Sequence, residues 1–370
     1  MVSPVPTGRA VVSDGVGGFA VTEIEVEDPA AGEVLVELRA SGVCHTDHDL
    51  LAAPVPLVLG HEGAGVVAAT GEGVSDLAAG DPVLLSWSLP CGTCFQCTEG
   101  NHHLCERHSP LTAGLGGHAH LGGTRAGGRA IVQAFALGTM STLALVRREA
   151  VVPLPEGIPF TSACIVGCGV MTGYGSAVNA ARVEPGSSVV VLGCGGVGLN
   201  VIQGARISGA ARIVGVDPKA DRRAMAERFG ATDVIAPDDG DRDLSGVAEQ
   251  VRALTSGRGA DYAFECTAVP ALGAAPLRMI RHGGTAVAVS GIEQEITVDM
   301  QLFEWDKTYI NPLYGQCRPA RDFPRIFDLY QRGDLLLDEL VTRTYPIDDV
   351  DAAFDDLLAG RNAKGVITLG

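Results

Sequence analysis

The sequence predicts an α/β fold in two parts, a doubly wound parallel sheet and an antiparallel β-region of barrel type. From residue 189 to about residue 312, short apolar runs alternate with helical patterns, which is typical of a parallel sheet covered by helices. Residues 1 to about 85 instead alternate apolar and polar positions in short runs that Gly, Pro and Asp interrupt. Because 370 residues exceed one typical hydrophobic core, we expect two domains.

The composition limits the partners and the compartment. The chain is 46% hydrophobic, has no uninterrupted apolar run of about eighteen residues and starts without a secretory pattern, so we expect a cytoplasmic protein with no membrane partner. A formal net charge of −17 also argues against nucleic acid and anionic membranes as partners. Several of the ten cysteines are clustered, which favours metal binding in a reducing compartment over a disulfide framework.

Two polar islands interrupt the first region, at residues 42–49 and 60–63. Cys44 in the first island and His61 in the second are ligand types that suit zinc, and Cys168 offers a third. Three protein ligands leave one tetrahedral position open, as a catalytic zinc requires. Taken singly, each residue also has a plainer interpretation, as a small buried apolar side chain or a turn residue.

Four further cysteines have the spacing CxxCxxCx7C, at Cys91, Cys94, Cys97 and Cys105. Four thiolates so close in sequence can enclose one zinc ion completely, which predicts a structural site in a loop with little core of its own. An iron–sulfur cluster is the alternative, because ligand spacing alone does not distinguish the two.

The segment that follows is rich in Gly, His and Thr over residues 106–145. We expect His118 and His120 to lie in a mobile surface loop there, with metal or substrate binding as the alternative. A strand over 143–152 is predicted next, and then a helical stretch through Cys164 and Cys168 to residue 181.

A glycine-rich turn after the apolar run 189–192 predicts a dinucleotide site. Gly193 would allow the turn, Gly195 would let a pyrophosphate approach the backbone, and Gly198 would let the helix lie close to the strand. Asp217 ends the next apolar run, where it can bind both hydroxyls of the adenosine ribose and repel a 2′-phosphate, so NAD is preferred to NADP. An ordinary strand–helix turn is the alternative.

The remaining elements complete the two parts. Strands are predicted over 189–192, 213–216, 234–235, 262–265 and 285–289, with helices over 219–229 and 247–254. After about residue 312 the pattern predicts helices over 323–333 and 350–359 and strands over 343–346 and 366–369, which we expect to return to the first domain.

Five motifs in this order resemble the zinc-dependent alcohol dehydrogenases of the medium-chain dehydrogenase/reductase superfamily, in particular their dimeric, aryl- and allylic-alcohol-type and nicotinoprotein bacterial members. They are GVCHTD at 42–47, GHEGAG at 60–65, CxxCxxCx7C at 91–105, GCG at 167–169 and GCGGVG at 193–198. The resemblance implies a GroES-like catalytic domain over 1–170 and 313–370 with two zinc sites, a Rossmann NAD-binding domain over 171–312, and a homodimer.

The resemblance also implies roles for individual residues. The catalytic zinc would be bound by Cys44, His61 and Cys168, with Glu62 as an acid near the metal. The zinc would lower the pKa of a bound alcohol. Thr46 would receive the alcohol proton, and hydride would pass to C4 of the nicotinamide. The residues implied in binding NAD are His45, Thr172, Gly193, Gly195, Gly196, Val197, Gly198, Asp217, Arg222 and Lys364.

Departures from the family pattern concern the proton route and the substrate. Many members have a proton-relaying His where this chain has Asp49, with His48 one residue earlier, so the proton would leave through either residue or directly to water. Two features disfavour a thiol-adduct substrate. The segment between the first two zinc ligands is shorter than in the glutathione-dependent branch, and Ser109 stands where that branch has Arg.

The expected substrate is a primary alcohol that is aromatic, allylic or longer-chain. Trp87 matches a pocket aromatic, with core filling as its alternative role, and Ala134, Met140 and Leu313 are candidates for the same apolar pocket. Two other functions stay open: a nicotinoprotein that retains NAD(H) and recycles it with a second carbonyl, and a non-catalytic NAD-binding or structural protein on the same fold.

Overall fold

The computed structural model describes residues 5–112, 123–292 and 294–370. His118 and His120, predicted to lie in a surface loop, fall outside these residues. The chain forms two compact units. The first unit comprises Met1–Cys168, Arg318–Arg332 and Leu337–Gly370, and the second comprises Gly169–Cys317 and Gly333–Leu336.

The strands and helices of the described residues are numbered in chain order. The strands are β1 Thr7–Ser13, β2 Phe19–Val26, β3 Glu33–Gly42, β4 Leu57–Val58, β5 Gly63–Thr70, β6 Pro82–Leu85, β7 Thr124–Ala126, β8 Arg129–Ala130, β9 Val132–Gln133, β10 Leu143–Arg147, β11 Val151–Pro153, β12 Ser188–Leu192, β13 Arg212–Val216, β14 Asp233–Ile235, β15 Ala260–Glu265, β16 Ile280–Ala288, β17 Thr308–Ile310, β18 Val341–Pro346 and β19 Lys364–Thr368. The α-helices are α1 His45–Asp49, α2 Phe95–Thr98, α3 Phe160–Cys164, α4 Gly169–Gly175, α5 Gly196–Ile207, α6 Ala220–Phe229, α7 Ser245–Leu254, α8 Ala275–Met279, α9 Pro319–Gln331 and α10 Val350–Leu358, and a π-helical turn covers Ser176–Ala180.

Two sheets form the first unit, with the strand orders β8-β7-β2-β1-β4-β9 and β11-β6-β5-β3-β19-β18, and β10 also pairs with β3. Their pairs are antiparallel except β4 with β9 and β18 with β19. Strand β3 pairs with three neighbours, so side chains such as Val34, Val36 and Leu38 are at most 1% exposed. The antiparallel β-region predicted from the alternating pattern is confirmed.

The second unit contains a parallel sheet in the order β14-β13-β12-β15-β16-β17. Helices cover it, so the side chains of residues 189–192 on β12 are fully buried. The chain leaves β12 in one direction toward β14 and then continues from β15 in the other direction. In such sheets ligands bind beyond the carboxyl ends of the strands at this reversal, where the Gly193 turn lies. The predicted doubly wound sheet is confirmed.

Two predicted elements are interrupted in the structure. The single strand predicted over 143–152 is two strands, because β10 pairs with β3 whereas β11 pairs with β6, and a 3-10 turn at Arg148–Ala150 joins them. The helical stretch predicted to residue 181 breaks at Cys168, which has φ −146° and ψ −79°. Gly167 there lies so close to β6 that a Cβ would come within 2.8 Å of the Leu85 carbonyl oxygen.

Within the described ranges, no single helix is long and apolar enough to cross a membrane. One bent pair, Phe160–Gly167 with Gly169–Ala180, meets that test only by length and composition.

Candidate active site and metal centres

The structure brings the three predicted catalytic zinc ligands together. Cys44 lies just before α1, His61 follows β4, and Cys168 occupies the break between α3 and α4. One ligand atom from each of these residues and one from Glu62 all lie within 4.8 Å of one another. His61 and Glu62 are at most 1% exposed, whereas the two cysteines are half-buried. These residues, called the first donor group below, therefore have a buried side and an open side.

Asp47, to which the sequence assigned no role, holds two of these residues in place. Its Oδ1 lies 2.7 Å from Nδ1 of His61, and its Oδ2 accepts a hydrogen bond of 3.1 Å from the backbone N–H of Cys44. Burial acts to lower the pKa of His61, but Asp47 and Cys44 together raise that pKa well above its usual value. With Nδ1 occupied by Asp47, Nε2 is the nitrogen left for a metal, as in most metal-binding histidines.

The chemistry of the donor set matches zinc. Two sulfur atoms and one imidazole nitrogen are the soft and borderline ligands that zinc binds, and their number leaves one coordination position open. A hydrogen bond from the Cys168 thiol, together with His61, holds the pKa of Cys44 well below its usual value. Cysteine binds a metal ion as the thiolate, and at Cys44 the thiolate is thus already favoured.

Glu62 lies beside these donors and is paired with a cation. Burial raises the pKa of Glu62 to about 7, although Lys364 opposes that shift. The Lys364 ammonium donates to Glu62 Oε1 at 2.7 Å and to the Val43 carbonyl oxygen at 3.0 Å. The structure thus places Lys364, which the resemblance implies in binding NAD, in a buried ion pair beside the metal ligands.

The four clustered cysteines form a second donor group. Their sulfur atoms lie within 4.8 Å of one another, and the buried Cys94, Cys97 and Cys105 form a cluster of their own with the partly buried Cys91. Backbone N–H groups point at the sulfurs, from Cys94 to Cys91 at 3.3 Å and from Cys91 to Cys105 at 3.4 Å. Burial acts to raise the pKa of Cys91, but the N–H groups of Thr93 and Cys94 lower it to about 6. Such a closed set of four sulfurs fits a structural zinc ion.

An aromatic wall, defined as His61, Phe135 and Trp87, borders the first donor group. The Phe135 ring stacks on His61 at 4.7 Å between ring centroids and 26° between planes. The Trp87 ring meets Phe135 edge-on at 5.4 Å and is only 4% exposed. Phe135 was not predicted, and its left-handed backbone, with φ 54°, has no signal in the sequence.

Two of the other predicted pocket residues belong to the first unit and one belongs to the second unit. Ala134 and Met140 are buried in the first unit, at 3% and 0% exposure. Leu313 is half-buried in a turn, Leu313–Gln316, that belongs to the second unit.

The short helix α1 carries the residues predicted for proton transfer. Oγ1 of Thr46 lies 3.8 Å from the Cys44 sulfur, which places this hydroxyl at the first donor group. The ring of His48 packs edge-on against Phe354 at 5.8 Å, and its Nδ1 is 3.9 Å from Asp49. The side chain of Asp49 is 75% exposed, and His45 is also exposed. The helix therefore leads from the buried group at Thr46 to solvent at Asp49.

The glycine turn of the second unit has the form of a phosphate cradle. Gly193 has φ +87°, and a Cβ on Gly198 would come within 1.8 Å of the Gly193 carbonyl oxygen. A Cβ on Gly195 would meet nothing closer than the Arg222 guanidinium at 4.0 Å, so open space remains above it. Because α5 begins at Gly196, its N-terminal N–H groups adjoin that space, which fits a pyrophosphate.

Asp217 is fixed at the end of β13, beside the glycine turn. Its Oδ2 accepts from the backbone N–H of Cys194 and its Oδ1 from that of Lys219, both at 2.9 Å, and the side chain is 3% exposed. Arg222 lies 3.8 Å from the same carboxylate. Thr172 and Val197 belong to neighbouring helices, α4 and α5, which approach so closely that a Cβ on Gly173 would lie 2.3 Å from the Val197 carbonyl oxygen.

Two family models match the chain, the alcohol dehydrogenase GroES-like domain over residues 30–156 and the zinc-binding dehydrogenase domain over residues 196–332. The chain belongs to the zinc-type alcohol dehydrogenases of the medium-chain dehydrogenase/reductase superfamily. This alcohol dehydrogenase is 38% identical to the NDMA-dependent alcohol dehydrogenase of Amycolatopsis methanolica over 98% of each chain. It is 36% identical to alcohol dehydrogenase B of Mycobacterium tuberculosis over 94% of each. Among solved structures, it resembles benzyl alcohol dehydrogenase of Acinetobacter calcoaceticus, with a TM-score of 0.87 and 30% identity over 99% of this chain and 100% of that one.

These comparisons confirm the predicted family, enzyme class and cofactors. The protein is an NAD-dependent zinc alcohol dehydrogenase that acts on small-molecule alcohols. Its two donor groups account for two zinc ions per chain, one of catalytic type and one closed by four cysteines. Membership of this family favours zinc over an iron–sulfur cluster at the four cysteines, and an enzyme over a non-catalytic protein.

Proposed function

We propose that this alcohol dehydrogenase oxidises a primary aromatic, allylic or longer-chain alcohol to its aldehyde, in a reversible reaction. The observation that carries the proposal is the aromatic wall, because it places two flat apolar rings beside the donor group at which an alcohol oxygen would bind. The structural likeness to a benzyl alcohol dehydrogenase supports the same class of substrate.

In this proposal Cys44, His61 and Cys168 hold the catalytic zinc, and Cys91, Cys94, Cys97 and Cys105 hold the structural zinc. The catalytic zinc supplies a Lewis acid that makes an alcohol hydroxyl easier to deprotonate. Asp47 orients the His61 ring, and the aromatic wall positions the substrate and excludes water.

The proton leaves through α1. Thr46 accepts it from the substrate hydroxyl, because its Oγ1 lies 3.8 Å from the sulfur of the zinc ligand Cys44. From Thr46 it passes to His48, to Asp49 or directly to water, and Asp49 is the more exposed of the two side chains. Glu62 adds negative charge near the metal, and Lys364 balances that charge.

The NAD site of the proposal lies in the second unit. The turn Gly193, Gly195, Gly196, Val197 and Gly198 receives the pyrophosphate, Asp217 the adenosine ribose and Thr172 the nicotinamide side. NAD supplies the hydride acceptor. Arg222, His45 and Lys364 remain proposed coenzyme contacts, and the proposed domains remain 1–170 with 313–370 for catalysis and 171–312 for NAD, in a homodimer.

Phe135→Leu tests the aromatic wall. We expect kcat/KM for benzyl and cinnamyl alcohol to fall about tenfold, while kcat/KM for ethanol changes little, because only the larger substrates contact the ring. NADH absorbance over a panel from ethanol through hexanol to aromatic and terpenoid alcohols measures this.

Phe19→Leu is the matched control for that panel. It removes a similar edge-on contact, with Phe354 at 5.4 Å, in the same unit but outside the wall. An equal loss for all alcohols in Phe135→Leu, or the same selective loss in Phe19→Leu, would contradict the proposed substrate class.

Asp217→Asn tests the coenzyme preference. The amide retains the shape and a hydrogen-bond acceptor but removes the charge that repels a 2′-phosphate, so we expect discrimination against NADP to weaken about tenfold. The ratio of kcat/KM for NAD and NADP is the measurement, and Asp221→Asn, at an exposed position on α6, is the control. An unchanged ratio would show that Asp217 does not face the ribose.

A second candidate function is supported by the similarity to an NDMA-dependent alcohol dehydrogenase. In that case the enzyme retains NAD(H) between turnovers and recycles it with a second carbonyl compound. NAD(H) that remains bound through gel filtration, together with turnover only when a carbonyl acceptor is present, would favour this function. Free exchange with added NAD would exclude it.

A further inference from the structure

A polar cavity of about 540 Å³ lies in the second unit at the amino ends of the parallel strands. Ser188 and Arg212 begin β12 and β13 at its wall, and Asp261 lies at the start of β15. The glycine turn follows the opposite end of β12, about 16 Å away for a strand of five residues. The cavity is therefore separate from the proposed NAD site.

The cavity contains more cationic than free anionic groups. Both Asp261 oxygens are in use, because Arg281 Nε donates to Oδ1 at 2.7 Å while the N–H and hydroxyl of Ser188 donate to Oδ2 at 2.7 and 2.6 Å. Burial acts to raise the pKa of Asp261, but these hydrogen bonds lower it below its usual value, so the carboxylate stays ionised and paired. The other acid of the lining, Glu184, is exposed.

Three arginines line this cavity, and they differ in how they are paired. Arg281 is engaged with Asp261, and Arg212 lies at 3.6 Å from Asp233. The guanidinium of Arg258 has no ion pair or hydrogen bond within the described part of the chain. In a chain with a net charge of −17, such a concentration of arginine is a local reversal of sign.

The loop that carries Arg258 is held by its own hydrogen bonds. The Thr255 hydroxyl donates to the Val251 carbonyl at 2.7 Å and accepts from the N–H of Gly259 at 3.0 Å. Ser256 and Gly259 have left-handed backbones, with φ 55° and 93°. Arg258 is thus presented from a defined turn rather than from an extended surface segment.

We propose that this cavity binds a small phosphorylated molecule through Arg258, with Arg212 and Arg281 beside it. Guanidinium groups match phosphate oxygens in pairs, and the half-buried Asp261 carboxylate, already paired with Arg281 and Ser188, repels the ligand little. The volume lies within the usual range of ligand sites, about 300–1,000 Å³, and exceeds that of an inorganic ion. This binding site is independent of the proposed dehydrogenase reaction.

The test measures binding of inorganic pyrophosphate to the zinc-containing enzyme by calorimetry at low ionic strength, with saturating NADH present so that the proposed coenzyme site is filled. We expect one saturable site per chain in the wild-type enzyme. Arg258→Ala should weaken binding at least tenfold, because it removes charged hydrogen bonds. Arg242→Ala, which removes an exposed arginine outside the cavity, should bind as the wild type does.

Other outcomes overturn the proposal. They are an absence of saturable binding in the wild type, equal affinity in Arg258→Ala, or an equal loss in Arg242→Ala, which would indicate general charge attraction. A second basic cavity of about 260 Å³ in the same unit includes Arg252, so a loss confined to Arg252→Ala would place the anion there instead. Citrate replaces pyrophosphate in a parallel titration, and tighter binding of citrate would contradict the phosphate class.

Discussion

Cys168→Ala is expected to lower kcat/KM for an aromatic alcohol about a thousandfold or more. Cys168 contributes one of the three sulfur and nitrogen donors that lie within 4.8 Å of one another, and without it the remaining pair cannot hold the ion that stabilises the developing negative charge. A loss of several kcal/mol of transition-state stabilisation corresponds to a factor of about a thousand. Steady-state kinetics with NADH absorbance measures it.

Cys164→Ala is the matched control, four residues earlier in the same segment. Cys164 is fully buried, as a structural cysteine is, but its thiol donates to the Thr161 carbonyl and lies outside both donor groups. We expect activity within about threefold of wild type, because a buried thiol of this kind only packs. Similar losses in both variants would show that Cys168 acts through packing rather than through a metal.

Cys105→Ala is expected to destabilise the first unit by about 3 kcal/mol or more. The buried cluster at this site consists of the four cysteines themselves, so a bound zinc ion would hold the loop together in place of apolar packing. Thermal unfolding and limited proteolysis between residues 91 and 105 measure the change.

Cys317→Ala, in the second unit, is the control for Cys105→Ala because the two cysteines are equally buried. Cys105 and Cys317 are both 0% exposed, but only Cys105 belongs to a four-sulfur group. The control should cost about 1 kcal/mol, the ordinary effect of a point mutation. Equal costs and an intact zinc content in both variants would exclude a structural role for the four-cysteine site.

The parts of the molecule that could be predicted from the sequence are those that local spacing determines. The glycine turn is one, because a strand, a turn and a helix follow one another along the chain, and Gly198 is required by the Gly193 carbonyl oxygen only five residues away. The four cysteines are another, since their ligand atoms lie within one loop. In both cases the relevant geometry is encoded within about twenty residues.

What could not be predicted depends on contacts between distant segments. Phe135 reaches His61 through a left-handed backbone at φ 54° that no residue type signals. Lys364 donates to Glu62 although 302 residues separate them. At the polar cavity of the second unit, Ser188 donates to Asp261 across 73 residues. Asp47 is an intermediate case. A carboxylate three residues after the N-cap, here Cys44, is a known local signal, whereas the bond from Asp47 to His61 is tertiary.

The zinc content of the purified enzyme is the sharpest test of the two donor groups. Elemental analysis should find two zinc ions per chain in the wild type and one in each of Cys168→Ala and Cys105→Ala, since each variant opens a different donor group. One zinc ion or none in the wild-type enzyme, or the loss of the same ion in both variants, would contradict the presence of two separate zinc sites.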